Sequence, residues 1–191
     1  QAKTGTGKTL AFGIPILNRV VSPADPEFAT MPAAGKPQAL AVAEKQLADA
    51  YLELRLLPEA LALYEQVLKR FELLDMPAEQ AWTLAQQGRA HALLAQPSLA
   101  VASFERAAVL FAAQGCHVGE SAVTLARAEL ALAGGQAASA QVLARQAARG
   151  FDSAGLAEGH LRANVVCANA LLNEGLVAEA AICFDDTLAR S

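Results

Sequence analysis

Leu57-Pro58-Glu59-Ala60-Leu61-Ala62-Leu63-Tyr64-Glu65-Gln66-Val67-Leu68-Lys69-Arg70-Phe71-Glu72-Leu73-Leu74 is the stretch that decides the fold class. Leu61, Tyr64, Val67, Leu68 and Phe71 recur three and four residues apart, which places them on one stripe of a helix. Pro58 stands at the start, where a missing backbone N–H costs little. The same register returns along the chain. Ala60, Ala100, Ala140 and Ala180 stand forty residues apart, and so do Phe71, Phe111 and Phe151. Tyr64, Phe104, Ala144 and Phe184 keep that step, as do Ala48, Gly88, Ala128 and Ala168. A fixed period of this size means stacked copies of one supersecondary unit, each burying its apolar face on the next.

Each forty-residue unit reads as two helices. The first helix of each pair is predicted over about 38–56, 78–95, 119–133 and 158–174. The second is predicted over about 58–74, 98–114, 137–153 and 177–190. Pro97 marks a helix start, Met76-Pro77 and Gly134-Gly135 mark turns, and Gly115 and Gly155 suit left-handed helix ends. The small residue of the first helix and the alanine of the second lie twelve apart, so the two helices of a pair can approach closely. The aromatic four residues after that alanine then fills the gap against the next helix.

At these positions the chain resembles tetratricopeptide repeats, which also carry a small residue in the first helix, an alanine early in the second and an aromatic four residues later. The period is longer than that family's usual ~34 residues. The third unit has Ala144 in place of the aromatic. The position before the small residue reads Leu47, Gln87, Arg127 and Cys167, where the family is apolar. The resemblance implies an all-α right-handed superhelix of about four antiparallel helix pairs, preceded by a short N-terminal helix and a linker. It also implies a concave face lined by the first helix of each pair. Projected onto this sequence, that face holds Lys45, Asp49, Trp82, Gln86, Arg89, Leu125, Glu129, Arg162, Val166, Asn169 and Asn173. Such a mixture suits a peptide or a neighbouring protein domain, with Arg89 and Arg162 as the best anion contacts because a guanidinium holds a carboxylate bidentately.

The opening of the chain is of another kind. Ala2-Lys3-Thr4-Gly5-Thr6-Gly7-Lys8-Thr9 fits a phosphate-loop pattern. In it the backbone of Thr4, Gly5, Thr6 and Gly7 would turn N–H groups toward phosphate, Lys8 would reach the β/γ-phosphates and Thr9 would bind Mg²⁺. Gln1 through Leu17 resembles the ATP-binding motif and following helix of DEAD-box RNA helicases, and Pro37–Ala43 resembles that family's next strand. The resemblance implies ATP and Mg²⁺ as the alternative cofactors, and a truncated helicase relative as the alternative function. The acidic segment of that family is absent, and phosphoryl transfer needs several charged groups positioned together. The expectation is therefore no catalytic residue, no enzyme activity and no working cofactor. Residues 1–21 are expected to be a helicase-like fragment, 22–37 a flexible linker with Pro23, Pro26, Pro32 and Pro37, and 38–191 a repeat domain. The switch of pattern between Ala43 and Glu44 suggests a junction of two genes, either natural or arising in sequence assembly. The chain begins with Gln, as a fragment would. The last helix shows no polar cap, so its face with Ala181, Phe184 and Leu188 is expected to meet more repeats or a partner.

Charge and composition narrow the partners. Residues 1–43 hold four basic against two acidic side chains, a surplus of +2, which leaves −6 for the rest of a chain of net charge −4. An acidic array is a poor nucleic-acid surface, since that affinity comes mostly from phosphate neutralisation. The chain is 54% hydrophobic but only 5% aromatic, so alanine packs the helices closely while each repeat leans on its neighbours. Cys116, Cys167 and Cys183 have no metal-ligand spacing and suit free thiols in a reducing, cytoplasmic setting. His91, His117 and His160 share no ligand spacing, and His91 reads as a packing residue. No run of ~18 apolar residues is present, so no membrane span is expected.

Overall fold

In the computed structural model, residues 36–188 are described, with side chains from 37 to 184. Every regular element among them is an α-helix: α1 (Lys36–Glu53), α2 (Leu57–Leu73), α3 (Pro77–Leu93), α4 (Pro97–Ala113), α5 (His117–Ala133), α6 (Ala137–Ser153), α7 (Ala157–Asn173) and α8 (Val177–Leu188). The all-α class and the paired helices agree with the periodicity, and the boundaries fall within a few residues of it. The phosphate loop, Thr4–Thr9, and the short helix expected within 1–21 lie outside the described residues. The first helix begins at Lys36, inside the stretch 22–37 expected as a linker, and the rest of that stretch lies outside the described residues. Residues 38–43, which resemble a helicase strand, are helical here. Ala41 and Ala43 are buried, so packing outweighs any short-range strand preference.

From α2 to α8 the helix starts stand twenty residues apart, and three-residue turns join them. Each turn is built the same way. Its middle residue takes a positive φ: Arg55, Asp75, Ala95, Gly115, Gly135, Gly155 and Gly175. The N–H of the third turn residue reaches back five positions, as from Leu56 to the Tyr51 carbonyl and from Leu156 to the Phe151 carbonyl, both at 2.9 Å. The middle residue's own N–H reaches back three, as from Gly155 to the Asp152 carbonyl at 3.0 Å. This is the Schellman closure, which satisfies the last carbonyls of a helix. The third residue also opens the next helix, since its carbonyl accepts the first helical bond, as Leu156 does from His160 at 3.0 Å. No side chain caps the starts of α2, α3, α5, α6 and α7.

The chain divides into two compact units, Gln1–Gln96 and Pro97–Ser191. In the first unit α1 packs on α2 and α2 on α3. Ala48, Ala60, Tyr64 and Ala90 share one buried cluster, which matches the small–small–aromatic reading. Ala41, Val67 and Phe71 form another. Burying an aromatic of this size contributes roughly 1.5–3 kcal/mol. In the second unit α4 packs on α5, α5 on α6, α6 on α7 and α7 on α8. Its core gathers Leu125, Ala128, Ala144, Phe151, Val166, Ala168, Leu171 and Ala180.

Leu125 requires a correction, because it was expected on the open face and lies in this core at 4% exposure. The third pair carries Ala144 where the others carry an aromatic. Val166 is buried in the same cluster.

Candidate peptide-binding faces

The first helices of the pairs are α1, α3, α5 and α7, and the residues expected to meet a ligand are set by their turns. In the first unit, α1 supplies Lys45 and Asp49, four residues apart on one face. Lys45 Nζ donates to Asp49 Oδ2 at 2.6 Å. From α2 the Tyr64 hydroxyl donates to Asp49 Oδ1 at 2.7 Å. Both carboxylate oxygens are thereby held, and Asp49 is a fixed part of the face. Burial pushes the Tyr64 hydroxyl's ionisation far above the usual tyrosine range, and the adjacent Asp49 charge pushes it the same way. Tyr64 therefore remains a donor at any ordinary pH.

On α3, Trp82, Gln86 and Arg89 follow at four and three residues. Arg89 Nη1 donates to Gln86 Oε1 at 3.2 Å. A neutral amide leaves the guanidinium's charge uncompensated at that contact, and Arg89 is exposed. Trp82 is exposed to 38%, high for so large an apolar ring. The first unit thus sets a cation and an indole on one helix, a pairing suited to partners with an acidic and an apolar side chain.

In the second unit the pattern differs. Arg162 on α7 donates through Nη2 to Glu129 Oε1 on α5 at 2.9 Å, bridging two first helices. Both groups are substantially solvent-exposed, at 51% and 36%, so the pair adds little stability, about 0–1 kcal/mol. Asn169 and Asn173 are exposed further along α7. Two apolar residues complete this face and escaped the sequence projection: Val165 and Leu172, exposed to 37% and 43%. Their spacing of three from Arg162 and from Asn169 was available in the sequence. The resulting stripe, Arg162–Val165–Asn169–Leu172–Asn173, alternates donors with apolar contact area. Of the projected residues, Lys45, Asp49, Trp82, Gln86 and Arg89 fall in the first unit. Glu129, Arg162, Asn169 and Asn173 fall in the second.

The histidines are engaged separately. His91 Nδ1 lies 2.8 Å from Gln96 Oε1, and His117 Nδ1 lies 3.2 Å from Glu120 Oε2. His160 Nδ1 lies 3.0 Å from the Ala148 carbonyl. Among the described residues no three histidine, cysteine or acidic side chains converge as a metal site. No described helix is long and apolar enough to cross a membrane.

No known family profile matches the chain, and no curated protein does. Solved structures do. The chain is similar to BtubC (BKLC) from P. vanneervenii, with a TM-score of 0.68 and 16% identity over 81% of this chain. It spans 64% of the length of that protein. It is also similar to the Podosopora anserina putative kinesin light chain nearly identical TPR-like repeats. There the TM-score is 0.66 at 19% identity, covering 96% of this chain and 87% of that one. MamA is a third, with a TM-score of 0.57 and 18% identity over 96% of this chain and 92% of that one. The shared fold is a tetratricopeptide-like helical repeat. None of these likenesses supports the helicase resemblance of the first forty-three residues.

Proposed function

We propose that the chain is a non-catalytic protein-interaction scaffold whose first-helix faces hold an extended peptide or a segment of a neighbouring domain. The observation that carries this reading is the α7 stripe, with Arg162, Val165, Asn169 and Leu172 at three- and four-residue steps, Asn173 beside Leu172, and all five exposed. Asparagine side chains supply both donors and acceptors, which suits the backbone of an extended peptide. Val165 and Leu172 offer apolar contact, and Arg162 can exchange its exposed partner Glu129 for a ligand carboxylate. Trp82 and Arg89 give the first unit a comparable anchor. Free cysteines, half-buried or buried, suit work in a reducing compartment such as the cytoplasm.

Selection of a peptide library on the immobilised protein tests the reading. Enriched peptides are expected to carry an acidic residue near a large apolar one. Arg162→Glu should weaken the best of them by roughly tenfold or more, the scale of a lost charge-assisted contact. Arg106→Glu, on a second helix, should leave binding unchanged. Enrichment that ignores Arg162→Glu and Arg89→Glu alike would refute the placement.

The loop at Thr4–Thr9 is proposed to support neither ATP hydrolysis nor tight Mg²⁺-ATP binding, because it carries one motif of the several that phosphoryl transfer requires. Calorimetric titration of Mg²⁺-ATP into the chain and into Lys8→Ala checks this. Micromolar binding abolished by the substitution would restore the nucleotide reading.

A further inference from the structure

The second unit contains a cavity of about 530 Å³ walled by α6, α7 and α8, apart from the peptide stripe. Cys167 lines it, a short thiol where the positions at forty-residue steps before it carry Leu47, Gln87 and Arg127. The size falls within the range of small-molecule sites, roughly 300–1,000 Å³.

The lining is chemically sorted. Ala148 and Leu171 are buried apolar walls, and Ile182 adds an exposed one. A polar band runs across α7. The Ala148 carbonyl requires a proton on His160 Nδ1, which leaves Nε2 to accept from Asn164 Nδ2 at 3.0 Å. Cys183 donates its thiol to the Asn164 carbonyl at 3.5 Å. On α6, Arg145 and Arg149 stand one helical turn apart at the cavity and are exposed. Neither makes an ion pair or hydrogen bond with a described residue. Two acids also line the cavity. Asp152 is engaged in another interaction, and Glu179 stands on α8 rather than beside the arginines.

We propose that this cavity binds a small organic carboxylate, its head group held by Arg145 and Arg149 and its apolar body laid against Ala148, Leu171 and Ile182. Two guanidinium groups one turn apart can share one carboxylate, and the fixed donors of a guanidinium match its geometry. The Glu179 charge opposes an anion, so it limits affinity and selects ligands whose charge lies at the α6 end.

The test uses octanoate and octanol with the full chain. Octanoate should give saturable amide shifts at Ala148, Asn164 and Leu171. Octanol, equal in chain length and uncharged, should bind roughly tenfold more weakly or worse. Combining Arg145→Glu with Arg149→Glu should abolish saturation at the same octanoate concentrations, and Glu179→Gln should tighten binding. All three residues are exposed, so the variants keep the fold, and circular dichroism confirms it. In Cys116→Ser protein, octanoate should also slow alkylation of Cys183 by N-ethylmaleimide. Failure to saturate at these amides, equal binding of octanol, or an unaffected double-arginine variant would each overturn the proposal.

Discussion

The turns of the first unit and those of the second have one geometry and different residues. Arg55, Asp75 and Ala95 take φ of 62°, 52° and 55°, where Gly115, Gly135, Gly155 and Gly175 take 62°, 74°, 69° and 79°. The reach-back hydrogen bonds are alike in both. A side chain in this conformation costs about 1–2 kcal/mol, and glycine avoids that steric cost. The geometry is therefore imposed by packing and carbonyl closure, with glycine easing it only in the second unit. The aromatic contacts differ too. In the second unit Phe111 and Phe151 lie over Gly119 and Gly159, each set eight residues on across a turn. A Cβ built on Gly159 would meet Phe151 Cδ1 at 2.6 Å. In the first unit the matching position is Glu79, and Phe71 packs with Ala41 and Val67.

The largest effect that can break this comparison comes from the rings. Phe71→Ala and Phe151→Ala should each destabilise by about 3–5 kcal/mol, read from urea denaturation. Near-equal losses would show that the two units rely on this ring alike, whereas a loss under ~1 kcal/mol at either site would remove it from that core. Next comes the glycine beneath the ring. Gly159→Ala should cost about 1–2 kcal/mol in the native chain, overpacking against Phe151 exceeding the gain in helix propensity. In the Phe151→Ala background the same change should become stabilising, by up to ~1 kcal/mol. A double-mutant cycle without such coupling would break the proposed contact.

The turns sharpen the comparison at about 1 kcal/mol. Ala95→Gly should stabilise by roughly that amount and Gly135→Ala should destabilise by a similar one, both measured from denaturation midpoints. Equal and negligible effects in both units would mean that the strain is relieved elsewhere.

The smallest effect is a pH dependence confined to the first unit. Glu44 pairs with Arg70 at 3.0 Å, yet its Oε2 is buried with no hydrogen-bond partner among the described residues. Burial raises its carboxyl above the usual range, with Arg70 partly opposing. The native state therefore holds this proton to higher pH than the unfolded chain does. Its contribution to stability is full below the ordinary carboxylate range and declines as pH rises through the raised value. Glu44→Gln should flatten that decline as pH rises above the ordinary carboxylate range, measured by thermal melts. An unchanged slope would exclude Glu44 as its source.

Much of this was legible in the chain. The stripe from Leu61 to Phe71, and its return at forty-residue steps, set the helices and the residues that face inward. Gly115, Gly135 and Gly155 announced their turns, because few other residues adopt a positive φ cheaply. Arg55, Asp75 and Ala95 announced nothing, since none of them is glycine. For the candidate site, the tetratricopeptide resemblance projected Arg162, Asn169 and Asn173 onto an open face, and all three are exposed. It did not include Val165 and Leu172, which are exposed. It also misplaced Leu125, which is buried in the core of the second unit.

Periodicity by itself determined the class of fold, the helix pairs and the inward-facing residues, because side-chain direction in a helix follows from spacing along the chain. Tertiary structure alone decided which carboxylates are held from another helix, as Asp49 is by Tyr64 and Glu129 is by Arg162. It also decided where volume is left open beside Cys167 and where the repeat parts into two units. The physical reason is that these depend on side chains meeting across helices fifteen or more residues apart, where size and reach, rather than local spacing, set the outcome.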